Sequence, residues 1–448
     1  MSLSDGLHWL DDRLLLAIDS GSLVSRPLEA AFRAANGLAA AALDTVVPVT
    51  RWAGTLGDQP MTIIAAGRSH WAQYLARRAG GMGSGGGPGS ASGREVAGTL
   101  RPEVLRPVSL AGLPAALRLW EREADVVTVR AGALASSLLR GRYLRLPEWV
   151  SFSYPLVPYE PPEIACGRSV RHSLVEIKQG RTSYEVSRRP EDLRFFYERV
   201  YRPTVLFRHG DEARIFDYPF LAMTFGRTGV MWLLRDGQRV GGVAFDRCGP
   251  ALRARLLGVV DADPELYRIH VPALIYYHFI QMARKAGYSL ADFGGCRAPL
   301  TDGLTAHKVR WGMVPRVKKD SHFCLNLRVC RDTPATRRFM ASLPCFLEAR
   351  RRLGVLAVHD PASPEAATGL ALAEEVRGGL AKILVDLGER GRSGDPGEHG
   401  RPGDPGERGR PGDPRELRGF SKIVKAPSGL VEALDGVLGD LDGLVAGR

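Results

Sequence analysis

The stretch from Ala251 to Met313 constrains the fold more than any other part of the chain. Ala251 to Val260 is a strand-like apolar run that ends in the polar segment Asp261-Ala-Asp-Pro-Glu265. Pro272 then opens a helix near its first turn, and Gly287 is placed to close it as the residue after the C-cap. Leu290 to Phe293 reads as a second strand that stops at Gly294-Gly295, and a basic, aromatic segment follows up to Met313. Just upstream, Gly229 to Asp246 reads as a hairpin with Asp236-Gly237 in its turn. Strand, loop, helix and strand in this order predict an α/β (α+β) domain with a mixed sheet flanked by helices.

The rest of the 448 residues divides around this stretch, and the length is enough for two or three domains. Residues 1–165 alternate strand and helix signals and read as an N-terminal α/β domain. They contain a Gly-rich stretch at 79–93 that lacks the strand, helix and Lys-Ser/Thr of a phosphate loop and reads as a linker. Residues 166–330 form the central domain. Residues 331–387 are expected to be a helical extension, from apolar spacing over Thr336–Leu353 and Glu365–Leu387. Residues 388–414 carry Gly at every third place, a collagen-like repeat with proline only at the third position, read here as a solvated linker. Residues 415–448 end in an amphipathic tail suited to packing or self-association.

Charge and cysteine content narrow the function classes. Lys+Arg 61 against Asp+Glu 49 leaves a net charge of +12, which favours phosphorylated or polyanionic partners or reflects an Arg-rich surface. The cysteines are scattered, with no C-x-x-C pair, so zinc ribbons and secreted disulfide scaffolds are not expected. The histidines have no i, i+4 partner, so no metal is expected. The first residues lack a basic and then apolar leader, and no early run is long and apolar enough to span a bilayer; a cytoplasmic protein without a transmembrane segment is the expectation. No aromatic and basic module for DNA or RNA is present.

Gly287-Tyr288, Asp292-Phe-Gly-Gly295, and Gly303 followed by His307-Lys308-Val-Arg-Trp311-Gly312 together resemble the GNAT acyltransferase superfamily. Within it, residues 168–320 resemble the Fem-type, peptidoglycan-aminoacyltransferase-like branch, with His307 where that branch has Phe. The resemblance implies a GNAT-like sheet. By analogy with the tandem domains of Fem-type proteins, it implies that 1–165 is a degenerate first copy, although no motif is shared there. It also implies direct N-acyl transfer, from acyl-CoA (acetyl-CoA included) or aminoacyl-tRNA, to an amine on a small molecule, a glycan or a peptide of the cell envelope.

Candidate site residues follow. Arg268-Ile-His-Val271-Pro-Ala273 aligns with the family's Q/R-x-x-G-x-G/A phosphate loop, and with Tyr267 it is the candidate cofactor-binding segment. Val271 replaces the central glycine, and its Cβ would crowd a pyrophosphate on the backbone. Asp261 and Asp292 are the candidate catalytic bases, though Asp263 and its neighbours also read as a turn cap and Asp292 also reads as a partner of the turn amides. The resemblance places Lys308 at a phosphate or oxyanion. Arg297 and Arg310 complete an anion pocket, and Trp311 is either a ligand platform or core. Arg208 and His209, in an expected exposed loop, are candidates for acceptor binding, and Tyr267, Tyr276 and Tyr277 for protonating a leaving group. The competing class is a non-catalytic GNAT-fold binding or assembly protein, made a homo-oligomer by its C-terminal tail.

Overall fold

The computed structural model describes residues 46–67, 74, 99–167, 170–171, 174–210, 215–225, 229–318, 323–363, 366–387, 420–426 and 429–446. The Gly-rich stretch 79–93 and the collagen-like repeat 388–414 lie outside the described residues.

Three sheets organise the chain. The first joins β1 (Val46–Leu56), β2 (Gln59–Ala66), β3 (Arg101–Ser109), β4 (Val126–Gly132), β5 (Leu144–Pro147) and β13 (Phe323–Val329) in the order β3-β1-β2-β4-β13-β5. Helices α1 (Leu113–Glu123) and α2 (Ala133–Leu138) accompany it. The second sheet joins β6 (Val150–Pro155), β7 (Thr182–Ser187), β8 (Val230–Arg235), β9 (Gln238–Cys248), β10 (Ala251–Val259), β11 (Leu290–Cys296) and β12 (Val314–Val317) in the order β12-β6-β11-β10-β9-β8-β7. Its helices are α3 (Pro190–Phe196), a π-turn at Tyr197–Tyr201, α4 (Arg202–His209), α5 (Tyr218–Phe225), α6 (Pro264–Arg268), α7 (Val271–Lys285) and α8 (Gly303–Arg310).

The fold is a mixed α/β one. The β8–β9 hairpin turns at Asp236-Gly237, both with positive φ, as the sequence predicts. The domain boundary near 165 does not hold for the sheets. β6, from the N-terminal half, lies between β11 and β12 of the second sheet, and β13, from beyond it, lies between β4 and β5 of the first. Each sheet ends in the same way: a parallel pair (β2 with β4, β10 with β11), then a strand lent by the other half, then an edge strand. This reciprocal exchange ties the two halves through their backbone hydrogen bonds.

The helical extension expected over 331–387 is corrected. Its helices are only α9 (Pro334–Ala341) and α10 (Ala366–Glu375). The third sheet, in the order β14-β15-β16-β17, is built from β14 (Cys345–Ala349), β15 (Arg352–His359), β16 (Ala381–Asp386) and β17 (Lys422–Lys425). Strands buried on both faces read as continuous apolar runs, which periodicity alone does not separate from helix. The tail is not a free appendage either. β17 pairs with β16, and α11 (Leu430–Ala446) buries Leu430, Ala433, Leu434 and Val437 in the main core.

One close approach fixes how the helices sit on the second sheet. A Cβ on Gly258 would stand 2.6 Å from the Val200 carbonyl oxygen and 2.7 Å from Thr204 Oγ1. Thr204 in turn accepts from the Val259 amide at 3.0 Å. Gly258→Ala is therefore expected to cost about 2–3 kcal/mol in urea unfolding, because the contact atom is backbone and cannot swing aside.

Candidate active site

The site begins where β10 and β11 separate. They pair in parallel only over Ala251–Arg253 and Leu290–Asp292. Beyond that point β10 bulges against β9 between Ala254 and Leu256, and β11 bulges against β6 between Asp292 and Gly295. Gly294 takes a φ of 71°, which glycine adopts without strain. The parting opens the sheet at the carboxyl ends of two parallel strands, the place where open α/β sheets receive ligands.

Separation leaves the Phe293 and Gly294 carbonyls without ladder partners among the described pairings, and a buried carbonyl must be satisfied. Lys308, on α8, supplies the donor. Its side chain is 1% exposed, and Nζ donates to the Phe293 oxygen at 2.5 Å and the Gly294 oxygen at 3.2 Å. Two of its three N–H groups are thus spent on backbone carbonyls, and the Cys296 thiol lies beside it. Burial pulls the Lys308 pKa down; Cys296, Tyr276 and Asp292 around it pull harder the other way and hold it up. Burial pushes the Cys296 thiol up against the pull of that ammonium. Lys308 thus braces the β11 bulge through two carbonyls, which leaves one N–H not committed to them.

The two aspartates part company. Asp292 Oδ1 accepts from the Gly294 amide at 2.8 Å, and Oδ2 lies 3.3 Å from Arg253 Nε, so it braces the bulge. Asp261 lies on the surface after β10, in the left-handed region (φ 52°), with both oxygens bonded by Arg199 at 2.5 Å. The Arg199 hydrogen bonds hold its carboxyl below the usual range. Asp263 caps α6 through the Glu265 amide.

The expected phosphate loop is also rearranged. Val271 is fully buried beneath Gly241. Pro272 has no N–H, and the amides of Ala273 and Leu274 both donate to the His270 carbonyl. Ala273 is buried, and Arg268 is exposed and paired with Glu265. The start of α7 thus offers few free amides for a pyrophosphate. Arg297 lies 4.2 Å over the Tyr74 ring, and Trp311 is fully buried.

What gathers at the parting instead is an aromatic and basic cluster. Tyr276, on α7, packs against Phe293 (4.4 Å), His307 (5.2 Å) and Trp311 (5.5 Å). Tyr267 stacks on Phe207 at 5.3 Å, with the Arg208 guanidinium 5.7 Å from its ring. The Tyr267 hydroxyl is buried with no hydrogen-bond partner among the described residues. Arg208 and His209 form the last turn of α4, where a loop was expected. Burial drives the His307 pKa down to about 3, and the Arg208, Lys308, Arg310 and His270 charges push the same way. His307 is therefore a neutral imidazole at physiological pH. The sequence marked it only as the residue that departs from the family pattern; an imidazole in place of a packing Phe is the signal that could have singled it out. Among the described residues no group of three or more metal-type side chains gathers.

His278, on the other side of α7, is also buried neutral. It bonds Thr182 Oγ1 at 3.0 Å, and burial with nearby Lys285 lowers its pKa to about 4. The unfolded chain takes up a proton near the ordinary histidine pKa, which the folded chain refuses. Stability is then full above about pH 6.5 and falls as pH drops toward 4. Urea unfolding at about pH 5 is expected to show a loss of about 2 kcal/mol from this residue relative to pH 7, absent in His278→Gln.

No protein family and no curated protein matches the chain. Among solved structures it is similar to FemX (TM-score 0.34, 13% identity, 48% of this chain and 75% of that one). It is also similar to L-PGS from Bacillus licheniformis (0.31, 16%, 53% and 80%). A third is a GCN5-related N-acetyltransferase from Sphaerobacter thermophilus (0.26, 14%, 49% and 69%).

Proposed function

We propose that this protein is an N-acyltransferase, moving an acyl group directly from its carrier to an amine at the parting of β10 and β11. The observation that carries this reading is the parting itself, with a neutral imidazole beside it and, linked to it through the Arg208 guanidinium, an unpartnered phenol. The amine nitrogen attacks the acyl carbon, the carbonyl oxygen becomes an oxyanion, and the carrier leaves with a proton. His307 accepts a hydrogen bond from the attacking amine. The Tyr267 hydroxyl donates to the leaving group, and Arg208 offsets the developing negative charge. Asp292 and Lys308 hold the bulge in which these groups meet, and Asp261 lies outside it.

The spent amides at the start of α7 favour a carrier that does not depend on a pyrophosphate cradle there. An aminoacyl ester on tRNA fits that condition better than acyl-CoA, and the +12 charge suits it. The non-catalytic alternative, motivated by the altered phosphate loop, stays as the second reading, and Leu430, Ala433, Leu434 and Val437 of α11 are spent inside the fold. No helix is long and apolar enough to cross a membrane among the described residues.

The test offers labelled acetyl-CoA, long-chain acyl-CoA and aminoacyl-tRNA with a panel of amines. Transfer from at least one donor is expected, and His307→Phe is expected to lower kcat/KM about 100-fold while leaving the fold intact. No transfer from any donor would overturn the reading.

A further inference from the structure

A second feature adjoins the parting on the opposite face of β11. β6 crosses from the first half of the chain into the second sheet, and Trp149 stands at its entry. Trp149 is 40% exposed, unusual for so large an apolar ring, and one side of it rests on Gly295, where a Cβ would meet the indole at 3.6 Å. Successive strand residues alternate faces, so Ser151 and Ser153 follow Trp149 on the same face. Arg316 of β12 lies opposite Ser151 and is exposed, and Lys318 reaches the same Gly295 position at 3.9 Å. Ser153 is 5% exposed, and its Oγ has no hydrogen-bond partner among the described residues. Asp292, opposite Ser153, closes the inner end.

We infer that this surface binds a sugar ring bearing a negative charge. An indole face over a glycine floor accepts the C–H face of a pyranose through its negative π-cloud. Ser151, partly exposed on the same face, suits a sugar hydroxyl, which can both donate and accept. The Arg316 guanidinium and the Lys318 ammonium suit a carboxylate or phosphate on the ring. Single-stranded RNA is disfavoured, because base stacking along a strand needs successive aromatic platforms, and Trp149 stands alone on this surface among the described residues.

The experiment is calorimetric binding to the full chain. The probes are oligogalacturonate, a phosphorylated maltooligosaccharide, neutral maltoheptaose and an RNA hexanucleotide. Binding of one or both acidic oligosaccharides is expected; carboxylate against phosphate preference identifies the acidic group. Neutral maltoheptaose should bind at least about tenfold more weakly. Trp149→Ala, and separately Arg316→Glu with Lys318→Glu, should each weaken acidic binding about tenfold, and Trp149→Tyr should restore most of it. Arg316 is exposed, so its variant reports even if Trp149→Ala folds poorly. No acidic oligosaccharide binding by the wild type, equal binding by the charge variant, or preference for the RNA overturns the proposal. Binding is read without turnover, so failure of the transfer reaction leaves this result interpretable.

Discussion

Lys308→Ala is expected to destabilise the protein by about 3–5 kcal/mol, a cost that reflects structure rather than chemistry. The side chain is among the largest fully buried ones, so its removal leaves a cavity. It also leaves the Phe293 and Gly294 carbonyls buried without donors, at about 1–3 kcal/mol each. Lys308→Met fills most of the volume and cannot donate. It should recover the cavity part and keep the hydrogen-bond part, a loss of about 2–3 kcal/mol in denaturant unfolding. A Lys308→Met protein as stable as the wild type but inactive would instead make the ammonium a ligand to substrate.

Asp246→Ala should be comparably damaging. Asp246 is fully buried on β9, with Arg255 Nε and Nη2 bonded to its Oδ2 at 2.9 and 2.8 Å and Arg253 Nε at 4.0 Å from its Oδ1. Arg253 continues the row to Asp292, so charges alternate across β9, β10 and β11 just below the parting. Removing this carboxylate takes the nearest counter-charge from two buried guanidinium groups, at about 3–5 kcal/mol. Arg255→Met in the Asp246→Ala background should return part of that loss, giving a coupling of about 1–3 kcal/mol in a double-mutant cycle. Additive single losses would show that the row is not one network.

The order of elements in 251–313 was legible because each boundary there has a local cause. Pro272 sits in the first turn of α7, Gly287 has positive φ just past its end, and Gly294 turns the β11 bulge. The exchange of β6 and β13 was not legible, because pairing between strands about 140–200 residues apart leaves no local trace. Cys345–Ala349 and Ala381–Asp386 were misread as helix because strands with their apolar residues buried in a run have no alternation to show, although Gly378-Gly379, both with positive φ, does mark the break before β16. The site residues divide along the same line. Asp261 and Lys308 have the right types for acid–base or anion chemistry. What they bond to, Arg199 for one and two backbone carbonyls for the other, is set by tertiary contacts that spacing does not encode. His307 feels the Arg208 charge, and Tyr267 lies under the same guanidinium, through tertiary proximity that spacing does not encode.

The central claim is that acyl transfer occurs at this parting and through these groups. The most direct measurement compares kcat/KM for label transfer to an amine by the wild type, His307→Phe, Tyr267→Phe and Asp261→Asn, each first shown to unfold at the wild-type midpoint. The geometry predicts losses of about 100-fold for His307→Phe and about tenfold or more for Tyr267→Phe, with Asp261→Asn within about twofold of the wild type. Full activity in His307→Phe and Tyr267→Phe, with a collapse in Asp261→Asn, would contradict it and move the chemistry to the surface beside Arg199.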